Sequence, residues 1–153
     1  MPHTYHTDLK LEGKGLDGLH CTLLQWYETD HDLDTIFAAF DPVFSRTRAI
    51  PLLALGKEKF GPHRDVDVNL VHPSTDLIRL HFAACDVLDT LKVKLLVPEW
   101  FREGYRPHFA VKDGQRFAEG REVIVRRIRL HEISRGRRAT KYIWNLPADQ
   151  AVS

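Results

Sequence analysis

Hydrophobic and polar positions alternate first weakly, from Tyr5 to Leu11, and then strongly, from Leu19 to Trp26, with a loop of Gly13, Gly15 and Gly18 between them. A period of two is the mark of a strand. A helical period follows, with Leu33, Ile36, Phe37 and Phe40 on one face, Thr29 or Asp30 as cap, and Pro42 near the end. Ala49 to Leu55 and Val66 to Val71 read as strands; in the second, Val66, Val68 and Leu70 alternate with Asp67 and Asn69. Ser74 or Thr75 caps a second helix, whose stripe is Leu77, His81, Ala84, Cys85, Leu88 and Leu91. Pro98 to Gly104 reads as a loop, Arg106 to Lys112 as a short strand, and Val123 to Leu130 and Thr140 to Leu146 as closing strands around a basic hairpin at Gly136. The order strand, strand, helix, strand, strand, helix, strand, strand, strand predicts an α+β fold, with helices on the outer faces of antiparallel-type sheets.

At 153 residues the chain has the length of one domain of two packed lobes, spanning residues 1–153. A content of 43% hydrophobic and 28% charged residues suffices for a buried core. The net charge of +1 excludes polyanion binding by overall charge. The distribution is uneven, however: Arg121, Arg126, Arg127, Arg129, Arg135, Arg137, Arg138 and Lys141 crowd the last third, either as a phosphate-attracting surface or as a solvated strand pair. Cys21 and Cys85 lack C-x-x-C spacing, which fits a reducing compartment. No apolar run reaches a membrane span and no secretory pattern opens the chain, so a cytoplasmic location and no membrane partner are expected. A monomer is the default assembly.

Three motifs are set aside. Gly13 to Gly18 matches G-x-G-x-x-G, but a strand follows where a dinucleotide site needs a helix. His3 and His6 have metal-like spacing but no third ligand, and the segment reads as a disordered start. No G-x-S-x-G element occurs.

Strand parity isolates two histidines. In Leu19-His20-Cys21-Thr22-Leu23, the leucines and Cys21 point one way and His20 and Thr22 the other. In Pro107-His108-Phe109-Ala110-Val111, Phe109 and Val111 point inward and His108 and Ala110 outward. Two imidazoles facing one cleft suit phosphodiester chemistry, one accepting a proton and the other donating one. With nine histidines in the chain, parity alone leaves unrelated surface or core histidines an open alternative.

His20-Cys21-Thr22-Leu23 and Tyr105-Arg106-Pro107-His108-Phe109-Ala110-Val111 resemble the two H-x-[ST] motifs of the 2H phosphoesterase superfamily. The elements between them, including Phe60-Gly61, follow the family order. The resemblance implies a bilobal fold with a central pseudo-twofold cleft. It also implies His20 and His108 as catalytic pair, Thr22 as phosphate ligand, no metal and no cofactor. The substrate would be a nucleotide or RNA: a 2′,3′-cyclic phosphate, a 2′,5′ linkage or a cyclic (oligo)nucleotide. Ala110 departs from the pattern, standing where the second hydroxyl belongs. An impaired member that binds nucleotide or RNA is therefore the alternative. Tyr5, Tyr105 and Trp144 are candidates for stacking on a base, with core packing as the competing role. Arg106, Arg138 and Lys141 are candidate phosphate contacts. His81 reads as a core or boundary histidine; His63 and His72 fall in loops without a role.

Overall fold

The computed structural model describes residues 2–13, 15–16, 18–110 and 119–148. Among these residues, nine strands and two α-helices follow in order: β1 His3–Lys10, β2 His20–Thr29, α1 Leu33–Phe44, β3 Ile50–Phe60, β4 Val66–Val71, α2 Thr75–Leu91, β5 Lys94–Leu95, β6 His108–Ala110, β7 Glu122–Val125, β8 Arg127–Ser134 and β9 Arg137–Asn145. They form two antiparallel sheets, of order β5-β2-β1-β8-β9 and β6-β4-β3-β7. This is the expected α+β architecture of two sheets and two helices.

The first sheet has a helix-covered face and a polar face. On the covered side, Phe40 of α1 lies against Tyr27, and Phe37 and Phe44 lie against Trp144. His81 of α2 donates from Nδ1 to the carbonyl of Leu23 at 2.9 Å and accepts the Arg102 amide on Nε2, also at 2.9 Å. Burial lowers its pKa to about 4, so the ring is neutral. It is a satisfied core histidine.

Several local expectations are corrected. The segment from His3 is not a disordered start but an inner strand, paired with β2 on one side and β8 on the other. Irregular pairing between β1 and β2 shifts the register, and the consecutive Leu23 and Leu24 are both fully buried. Asp32 caps α1, accepting the Thr35 amide at 2.9 Å, because Thr29 still belongs to β2 and holds the His31 amide. The run from Val123 to Leu130 is two strands. The chain leaves the second sheet after Val125 and enters the first at Arg127. Val111 and Lys112 of the expected strand lie outside the described residues. Among the described residues, no helix is long and apolar enough to cross a membrane.

Candidate active site

Cys21 and Phe109 are buried, as the parity of the two motif strands requires, while His20, Thr22 and His108 are half-buried and Ala110 is exposed. The motif segments meet. The Tyr105 hydroxyl donates to the Thr22 carbonyl at 2.8 Å, and the Cys21 thiol lies against the His108 backbone.

Around His20 the polar face of the first sheet is crowded. The His6 ring lies 6.3 Å from that of His20, edge-on, 4.9 Å from Trp26 and 5.9 Å from His131. His6 Nε2 is 3.3 Å from the Thr22 hydroxyl. Deeper, the fully buried Asp8 accepts from Arg129 through Nε at 2.8 Å and Nη2 at 3.0 Å, and from His131 Nε2 at 2.9 Å. Arg138 is 3.7 Å away and Thr140 closes the far side of His131 at 3.0 Å. Burial alone would raise the Asp8 pKa; the hydrogen bonds from His131 and Arg129 outweigh it and hold the carboxyl below the usual carboxylate range. Burial, opposed by Asp8, lowers His20 to about 4 and His6 to about 3, and the nearby cations Arg129 and Arg138 press His20 further the same way.

His6, Asp8 and His131 bring their ligand atoms within 4.8 Å of one another, a spacing that admits a metal ion. The site does not otherwise fit one. Both Asp8 oxygens already face the Arg129 fork, and a cation there would displace a buried charge-assisted pair.

His108 stands in different company. Its Nδ1 donates to the Arg106 carbonyl at 2.7 Å, and its ring lies 4.6 Å from Phe60 and 5.5 Å from Trp100. Burial lowers its pKa, partly offset by that carbonyl. Phe60 and Trp100 continue into a groove of about 500 Å³, bordered by Lys59, Arg64 and Arg106. The loop carrying Trp100 is tied to α2 and closely packed on itself. Arg102 bridges to Asp86 and Asp89 of α2, and a Cβ on Gly104 would lie 1.9 Å from the Glu99 carbonyl oxygen.

The aromatic candidates fall elsewhere. Tyr5 is fully buried against Tyr27, and Trp144 is 6% exposed between Phe37 and Phe44, donating to Asp41. Neither has a face for a nucleobase. Tyr105 stacks on His81 at 3.9 Å and ties the motif strands together instead. Arg106 pairs with Glu58 at 2.6 Å and lies over Phe60; Arg138 is on the Asp8 side; Lys141 is exposed at the irregularity between β8 and β9. Phe60, within the Phe60-Gly61 element, and Trp100, in the loop before the second motif, carry no sequence signal of a site role. His6 was weighed only with His3 as a metal-like spacing, and Asp8 carried no signal beyond its place in the alternation of β1.

No protein-family model and no curated protein sequence matches the chain. Solved structures do. E. coli LigT in its apo form aligns at a TM-score of 0.63 and 14% identity over 95% of this chain and 98% of that one. A crystal structure described as a phosphoesterase gives 0.59 and 16% over 96% and 99%, and the Thermus thermophilus protein TT0787 gives 0.58 and 13% over 96% and 100%. The likeness that the two histidine motifs suggest thus extends to the backbone over 95% or more of the chain, which has the same α+β fold as LigT.

Proposed function

We propose that the protein is a metal-independent phosphodiesterase for 2′,3′-cyclic phosphates, 2′,5′ linkages or cyclic (oligo)nucleotides, with His20 and His108 as its acid–base pair. The observation that carries this reading is the juxtaposition of the two motif strands, with Tyr105 bridging from one to the other. The His108 Nδ1 proton is committed to the Arg106 carbonyl, leaving Nε2 with its lone pair, the orientation of a general base. It takes the proton of the attacking hydroxyl or water as the new P–O bond forms. His20, protonated as the anionic phosphate arrives, gives its proton to the departing oxygen. Thr22 holds a phosphate oxygen, and Arg138 adds positive potential. A base stacks on Trp100 in the groove beside His108. LigT has been crystallised with 3′-AMP, with phosphate and with ATP, so that a neighbour of the same fold takes nucleotides and phosphate.

The test is a panel of 2′,3′-cyclic, 2′,5′-linked and cyclic nucleotides assayed in chelator. Turnover of at least one is expected. Turnover only with added metal would overturn the mechanism. Ala110 supports a second reading, a nucleotide- or RNA-binding member without turnover. Nucleotide binding without hydrolysis of any panel member would establish it. Steep weakening of that binding with salt would mark contacts to several phosphates.

A further inference from the structure

From the hydrogen-bond geometry we infer that His6 is a positioning residue that turns the Thr22 hydroxyl proton toward the phosphate; this rests on the function proposed above.

Thr22 has one hydroxyl proton, and it can serve a phosphate oxygen only if it is not used elsewhere. The contact with His6 Nε2, at 3.3 Å, can run in either direction. The opposite ring nitrogen decides. His6 is 4% exposed, and its Nδ1 is sealed from solvent with no partner among the described residues. Were Thr22 the donor, the proton of the neutral ring would sit on Nδ1, as a buried N–H bonded to nothing. With the proton on Nε2, Nδ1 keeps only an unused lone pair, and orphaned donors are the rarer and costlier defect. Burial lowers the His6 pKa to about 3, so the ring is neutral at physiological pH and the choice is between these two tautomers. His6 Nε2–H therefore donates to Thr22, filling a lone pair of the hydroxyl and leaving its proton for the ligand. The residues packed around the ring hold it there: Trp26 at 4.9 Å, His131 at 5.9 Å and His20 at 6.3 Å between centroids. The arrangement carries more weight here because the second motif has Ala110 in place of a hydroxyl. Thr22 is the one hydroxyl that the third positions of the two motifs offer.

The experiment is a double-mutant cycle on kcat/KM for the best panel substrate. His6→Leu is expected to cost about tenfold and Thr22→Ala about ten- to hundredfold, but the double variant should be no slower than Thr22→Ala to within about twofold. A residue that merely supports the fold would give losses that multiply, and that result overturns the inference while leaving the phosphodiesterase reading intact. Side-chain reach gives a second arm, independent of whether His6→Leu folds. The Gln amide nitrogen reaches the Nε2 position and the Asn amide nitrogen the Nδ1 position. His6→Gln should recover most of the activity and His6→Asn should not; equal activities overturn the inference. If the wild type turns nothing over, the same cycle is read as the Kd for inorganic phosphate, with the same coupling expected. Absence of both turnover and phosphate binding sinks the inference together with the proposed function.

Discussion

The two motif strands have unlike neighbours. On β1, Lys10 stands opposite His20 and Asp8 opposite Thr22; on β4, Leu70 stands opposite His108 and Val68 opposite Ala110. The first half thus backs its histidine with a buried ionic and hydrogen-bonded network from β1, β8 and β9. The second half backs its histidine with the rings of Phe60 and Trp100 and a backbone carbonyl. Under the proposed function the first half would hold the anionic phosphate and the second would lie against a flat apolar group. The residue opposite Ala110 is Val68, whose side chain has no donor to set the direction of a hydroxyl there.

The largest effect expected from breaking this arrangement is on the histidines themselves. His20→Ala and His108→Ala should each lower kcat by about 10²–10⁴-fold. A substrate with a nitrophenolate leaving group, which departs without a proton, should restore most of the loss in His20→Ala and little in His108→Ala. The reverse pattern would exchange their roles.

Removing charge should separate the halves by stability. Asp8→Asn strands the Arg129 guanidinium, whose fork it fills, and should cost about 3–5 kcal/mol in urea unfolding. The mirror experiment in the second half, Glu58→Gln, removes an exposed partner of Arg106 and should cost less than about 1 kcal/mol. Similar losses would contradict the contrast.

Acid should act next. His6 and His81 are buried neutral, with folded pKa values of about 3 and about 4 against an ordinary 6.5. The folded state binds fewer protons than the unfolded one, so stability is full above pH 6.5 and declines as pH falls toward 4, by on the order of 3 kcal/mol for His81. Chemical denaturation at pH 7.5 and 4.5 checks this. Catalysis needs one proton shared between His20 and His108, both lowered, so kcat/KM should peak on the acid side of 6.5. A peak above pH 7.5 would refute the depressed pair.

Smaller effects sharpen the picture. Ala110→Thr should raise kcat/KM, by about 1.5–3 kcal/mol if the hydroxyl bonds the phosphate fully. Without a neighbour like His6, about tenfold is the expected result. A loss in a folded protein would mean that the methyl makes room for a substrate group. Trp100→Ala should raise KM by about tenfold, at the low end of base-stacking energies of about 1–3 kcal/mol, and leave the reaction of a baseless phosphodiester unchanged.

What the sequence discloses follows the range of each interaction. α2 is readable because its cap at Ser74 and its apolar stripe are local, and even His81 falls on that stripe. The parity of β2 and β6 is likewise local, and it places Cys21 and Phe109 inside. The split at Arg126 is not readable, since one alternating run serves two sheets without a break in pattern. Between the two roles open to Tyr5 and Trp144, stacking on a base and core packing, only long-range contacts decide. Tyr5 and Trp144 are conspicuous beside polar residues, yet helix packing seals them; Phe60 and Trp100 converge on His108 from separate segments. The Asp8 network joins residues more than 120 positions apart, and no window along the chain contains it.

The close approach at Gly104 bears on how such a protein can drift. The Glu99 carbonyl occupies the space any side chain would need there, so the codon for residue 104 has no neutral replacement while this loop keeps its path. Trp100, half-buried on the same loop, has no such limit. Across a lineage the frame would stay fixed while the ring it carries is exchanged. Under the proposed stacking on Trp100, new preferences for a base would then arise by changing residue 100, without rebuilding the loop that presents it.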